Sequence, residues 1–186
     1  MSLLSFAQWL DEQALSTALH ESLYAYPLIE TTHVLTLCLF VGTVLMVDLR
    51  LLGVAFRDVP VSVMTSRVLP YSVAGFVVMF ITGLLLFYAI PVRTTQSIFF
   101  RVKVLMLIGA AINVWFFHRR VKRDRVSWDS APRPPVSARI SAAVSIVLWS
   151  GVIVTGRMIA YNWFDCDRQP QPEWLNWAVG CVVEAA

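Results

Sequence analysis

The stretch Tyr26–Gly53, YPLIETTHVLTLCLFVGTVLMVDLRLLG, constrains the chain more than any other. From Val34 to Val47 it carries no charge and is rich in Leu, Val, Phe and Met. That composition suits a helix with lipid or other helices on every side. Yet Glu30 and His33 interrupt its first third, and Asp48 closes it. At 100° per residue, Tyr26, Glu30, His33, Leu37, Val44 and Asp48 share one stripe roughly 100° wide. An ionisable group at the centre of a bilayer costs roughly 2.5–3.5 kcal/mol on insertion scales, so such groups face a bundle interior. The stripe is the expected functional face.

Three further apolar stretches follow, so that the four cover about residues 26–52, 69–92, 97–118 and 139–163. Each exceeds or approaches the roughly 20 residues that a helical span needs. They account for a hydrophobic content of 58% and a mean hydropathy of +0.66, which exclude an ordinary soluble domain. Four spans in 186 residues leave no room for a second domain. The expected fold is all-α: a single integral membrane four-helix bundle over residues 1–186, with short interfacial helices at both termini and the lipid bilayer as its surroundings. Small residues at Ser72, Gly75, Thr82 and Gly83 of the second span suit close helix packing. The short connection Ile90–Ile98 predicts that spans two and three are antiparallel neighbours.

The basic residues give an orientation. Ten Lys/Arg fall in the first and third connections, against four in the second connection and the C-terminal tail, with Arg157 inside the fourth span. The positive-inside rule then places both termini away from the cytoplasm. The pI of about 9.0 reflects this asymmetry and does not indicate a nucleic-acid partner. MSLLSFAQWLDEQ lacks the basic start and unbroken apolar core of a signal peptide. Its spacing of Phe6, Trp9, Leu10 and Leu15 predicts a short helix lying at the interface. Near the other end, Pro170 and Pro172 precede a second interfacial helix expected over Glu173–Val183, carrying Trp174 and Trp177. Cys166 and Cys181 flank it on the side expected to be oxidising, where a disulfide closing the loop would contribute about 3 kcal/mol. Cys38 reads as an inert core residue. SWDSAPRPPVSAR reads as an irregular loop, and His118, beside a basic run, as a surface histidine.

A rise of 1.5 Å per residue places His33 and Arg157 each roughly 9 Å inside the same face, and Lys103 roughly 7 Å inside it. Glu30, Met158 and Tyr161 belong to the same layer, with Glu30/His33 and Arg157/Tyr161 at helical spacing. An internal ion pair, Glu30 with Arg157, is one reading. A ligand site is the other: a carboxylate against two cations leaves a positive surplus suited to an anionic group such as a haem propionate. His33 is then the axial ligand of a b-type haem, with its other ring nitrogen oriented by a neighbour such as Glu30. No second histidine shares its depth. Met158 does, so a five-coordinate or His/Met haem fits better than a bis-His pair. Copper is the alternative cofactor, with His33 and Met158 as its donors. A further alternative is an accessory subunit or homo-oligomer whose stripe docks another membrane protein.

At Glu21-Ser22, Tyr26-Pro27, Glu30, His33, Gly42, Asp48-Leu49-Arg50-Leu51-Leu52-Gly53 and Gly156-Arg157-Met158-Ile159-Ala160-Tyr161 the chain resembles a bacterial family of four-helix membrane proteins of unknown function. That resemblance implies the bacterial inner membrane. The chain also resembles, more distantly, the CopD-type copper-resistance domain, through the first-span histidine and glycine, Thr82-Gly83, Lys103 and Asn113. HemJ-type protoporphyrinogen oxidases share similar features, and this likeness implies a haem on His33.

Overall fold

A computed structural model describes residues 3–121, 127–161, 166 and 171–181. Its helices are α1 (Leu3–Asp11), α2 (Ala14–Glu21), α3 (Ala25–Leu52), α4 (Val61–Ala89), α5 (Pro91–Thr95), α6 (Ile98–Phe116), α7 (Val136–Tyr161) and α8 (Glu173–Val179). A π-helical turn, Phe117–Val121, extends α6. No strand occurs among the described residues. Four helices, α3, α4, α6 with its extension, and α7, are long and apolar enough to cross a membrane. Their outward faces carry exposed Leu35, Phe80, Leu105 and Val147, as lipid-facing surfaces should.

Lipid tails are as apolar as leucine, so close backbone approach and polar pairs hold such helices together. The α3–α4 contact shows both. A Cβ added at Gly75 would lie 3.2 Å from the Phe40 nitrogen and 3.3 Å from the Thr36 carbonyl oxygen, so only glycine lets the helices approach this far. Three residues before it, the Ser72 hydroxyl donates to Thr43 Oγ1 at 2.6 Å. All four small residues of α4 named above turn toward α3. Helices α6 and α7 are joined similarly: Gly109 packs on Leu148, Gly151 on Met106, and Asn113 and Ser141 exchange two hydrogen bonds of 2.9 Å. Phe40, Met106, Ala110, Trp149 and Val152 fill the centre, with Phe40 edge-on to Trp149 at 4.8 Å.

The neighbour relations differ from those the connection lengths suggest. The packed pairs are α3–α4, α3–α7 and α6–α7. Helices α4 and α6 flank the α3–α7 pair instead of packing along each other, and meet at one end where Phe87 stacks on Phe100 at 5.5 Å. Between those two ends α5, with Pro91, Thr94 and Thr95 buried, packs under α1. Pro60, not Pro70, precedes the start of α4, and Pro70 sits inside the helix.

At the end carrying the basic connections, DLRLLG ties two loops. Arg50 is wholly buried, and its Nε donates to the Val59 carbonyl at 2.6 Å while Nη2 donates to those of Ala131 at 3.1 Å and Asp129 at 3.4 Å. The Asp129 carboxylate accepts from the Ser62 N–H at 2.8 Å and from its hydroxyl, capping the start of α4. Gly53 closes α3 at φ +70°, with its N–H on the Arg50 carbonyl at 3.1 Å, and a Cβ there would be 3.1 Å from the Pro132 oxygen. Residues 127–135 are irregular, as expected, and held by the buried Arg50 guanidinium, but the last four residues of the expected loop, Val136–Arg139, are the first turn of α7.

The opposite end carries the short helices. Two helices, not one, precede the first span; Ala7 and Ser16 are buried, and Ser16 Oγ donates to the Tyr88 carbonyl at 2.7 Å. Phe6, Trp9 and Leu15 stay exposed. Arg101 donates to the carbonyls of Ala178 and Val179, placing a cation on the C-terminal end of α8, where the helix dipole favours one. Helix α8 ends at Val179, earlier than expected, because Gly180 at φ +74° caps it with its N–H on the Asn176 carbonyl; the next residue, Cys181, is joined to Cys166 in a disulfide with a Cα–Cα distance of 5.3 Å. Residues 182 and 183 of the expected helix lie outside the described residues.

Candidate functional site

His33 projects from α3 onto α4, where Thr82 and Gly83 receive it. Its Nδ1 lies 3.0 Å from the Met79 carbonyl oxygen and 3.1 Å from Thr82 Oγ1. A carbonyl only accepts, and the Thr82 hydroxyl donates its own hydrogen to the Val78 carbonyl at 2.7 Å. Both partners therefore require a proton on Nδ1. The neutral imidazole then presents an unprotonated Nε2, which makes no hydrogen bond to any described residue. A Cβ at Gly83 would stand 3.2 Å from His33 Cε1, so the glycine makes room for the ring.

The second inner group is Lys103 of α6. It is half-buried, lies within electrostatic range of His33, and makes no hydrogen bond or ion pair with a described residue. Its ammonium rests on α7, 3.7 Å from where a Cβ at Gly156 would sit. An ammonium inside the hydrocarbon layer is costly, and no carboxylate among the described residues pairs with this one.

The remaining residues of the expected polar layer divide from this pair. Arg157 is exposed, with Nη2 2.8 Å from the Tyr161 hydroxyl and its guanidinium 5.0 Å from the Tyr161 ring centroid. Glu30 is exposed beside Thr31, Val34 and Leu35, and forms no ion pair with Arg157. With Arg93 it lies instead within electrostatic range of Tyr26. Met158 is half-buried. His20 sits edge-on to Tyr26 at 5.9 Å, and exposed His118 bonds its own helix through Val114. Cys38, expected in the core, is exposed, because that side of α3 faces outward. Among the described residues no group of three or more His, Cys, Asp or Glu converges as a metal cage would.

The sequence reading named His33 and Lys103 but missed what orients the histidine. Glu30 was the expected partner; the Met79 carbonyl and Thr82 take that place, and a backbone carbonyl leaves no mark in a sequence. The stripe's other end is buried: Asp48 is 6% exposed and lies near Ser145 of α7.

Four span-length helices around buried polar contacts define a multi-pass helical membrane protein. The chain belongs to a family of unknown function, DUF6644, whose model matches residues 16–162. No curated protein and no solved structure matches it.

Proposed function

We propose that the bundle binds a b-type haem near the end that carries α1, α2 and α8, and serves membrane electron transfer or a redox complex, with His33 as the axial ligand. The observation that carries this reading is the tautomer. The Met79 carbonyl and Thr82 hold the proton on Nδ1 and leave Nε2 as a bare donor, the arrangement found where a histidine ligates a metal and its second nitrogen is anchored. Haem would supply a one-electron couple; the chain supplies the rest. Lys103, without a partner among the described residues, gives a cation for a propionate, and Gly83 and Gly156 keep the backbone beside both groups free of side chains. Arg157, held by Tyr161, supplies a second cation nearer the surface, and Met158 is the candidate sixth ligand.

That end, with α1, α2 and α8, is assigned to the periplasmic side of a bacterial inner membrane. The basic residues favour it, and a disulfide at that end accords with an oxidising compartment. Purified from haem-supplemented cells, the protein is expected to show a Soret band that His33→Ala abolishes or shifts and His118→Ala leaves nearly intact. A colourless, iron-free preparation would overturn the haem assignment. Copper lost in the same His33→Ala variant would then favour CopD-type copper handling.

A further inference from the structure

On the outward face of α6, Ile108, Ala111, Ile112 and Trp115 line an apolar groove of about 480 Å³. Its side chains are open to the surroundings, Ile108 by 51%, Ile112 by 59% and Trp115 by 55%. Helix α6 meets α7 through Met106, Gly109 and Asn113 instead, so no helix among the described residues covers the groove.

One turn past Trp115 the groove meets a cation. The Arg119 guanidinium lies over the Trp115 ring, 4.7 Å from its centroid. A cation–π contact of this kind consumes none of the guanidinium's N–H donors. Arg119 is exposed, and those donors make no hydrogen bond to a described residue. His118 beside it is also exposed, with Nδ1 turned back to the Val114 carbonyl at 3.1 Å. The sequence from Arg119 to Arg125 holds five basic residues and one acidic residue.

We propose that this is a binding site for one anionic phospholipid. An acyl chain lies along Ile108, Ala111 and Ile112, and the phosphodiester is bound by the in-plane donors of Arg119. The groove opens sideways onto the bilayer, and a planar guanidinium matches a phosphate bidentately. Net charge selects the lipid: a zwitterionic headgroup brings its own ammonium toward a basic run, whereas an anionic one does not. The same charge opposes a second copy of this chain on this face, because each copy would bring its own Arg119 and basic run to the contact.

Native mass spectrometry of the full-length protein in detergent tests the site, using phosphatidylglycerol and phosphatidylcholine with identical acyl chains. Both lipids carry the phosphodiester, so the gap between them reflects the choline ammonium, and phosphatidylglycerol is expected to bind roughly tenfold more tightly. Arg119→Gln removes a cation and donors that both phosphates use, so it should weaken both lipids and narrow the gap between them. Ile112→Trp, which fills the groove, should weaken both lipids. Arg57→Gln, at an exposed basic residue of another loop, should change neither. Equal retention of the two lipids, unchanged selectivity in Arg119→Gln, or a dimer that Ile112→Trp dissociates without affecting lipid would each overturn the proposal.

Discussion

At His33 the ring state follows from two neighbours on another helix, and substitutions there separate their roles. Thr82→Val removes one of two acceptors for Nδ1–H and keeps the Met79 carbonyl, so a loss of about 0.5–1.5 kcal/mol is expected in denaturation of the purified protein. Gly83→Ala places a methyl 3.2 Å from Cε1, which displaces the ring by a few tenths of an ångström. With haem bound, the Soret band should shift while the protein still folds; an unmoved band would mean that the ring does not touch the cofactor. Glu30 and Arg157 make the opposite case. They share a depth but not a contact, because Arg157 is held by Tyr161 and Glu30 faces outward. The losses in a Glu30→Gln, Arg157→Met cycle should therefore add within about 0.5 kcal/mol. A strong coupling would show that the two side chains meet.

Between helices, the decisive quantity is how closely backbones approach. Gly42 and Gly75 are both span glycines, and nothing in their local sequence ranks them. A Cβ at Gly75 would press on the Phe40 backbone nitrogen and the Thr36 oxygen, which cannot yield as a flexible side chain would. A Cβ at Gly42 would meet nothing within 4 Å. Gly75→Ala is expected to cost about 1–3 kcal/mol through overpacking. Gly42→Ala should be neutral or gain up to about 1 kcal/mol, since glycine is the poorer helix former. Thermal unfolding of the two variants in one detergent measures the contrast. Equal losses would place α3 and α4 differently from the arrangement described above.

Across the whole molecule, the two ends are built from different chemistry. One has a guanidinium tying irregular loops and a basic run; the other has short helices, exposed tryptophans and a disulfide. Under the proposed orientation, a cysteine replacing Ser130 should be labelled by an impermeant maleimide only from the cytoplasmic side. A cysteine replacing Trp177, 87% exposed on α8, should react only from outside. The reverse pattern would invert the protein and remove the oxidising compartment for Cys166 and Cys181.

Span number and helical class were legible in the chain itself, because a bilayer admits few alternatives to an apolar helix of about 20 residues. The small-residue face of α4 and the depth of His33 and Lys103 followed from helical period and rise alone. Which groups at one depth touch was not legible, since depth sets one coordinate and rotation about each helix axis sets another. Tertiary packing turned His33 and Lys103 inward and Glu30 and Arg157 outward. It also packed α4 along α3 and α6 along α7, leaving α4 and α6 in contact only at the end their short connection joins. The partners that matter most here, the Met79 carbonyl for His33 and the Val59, Asp129 and Ala131 carbonyls for Arg50, are backbone atoms. Every residue carries such an acceptor, so only the folded arrangement decides which of them a buried side chain finds.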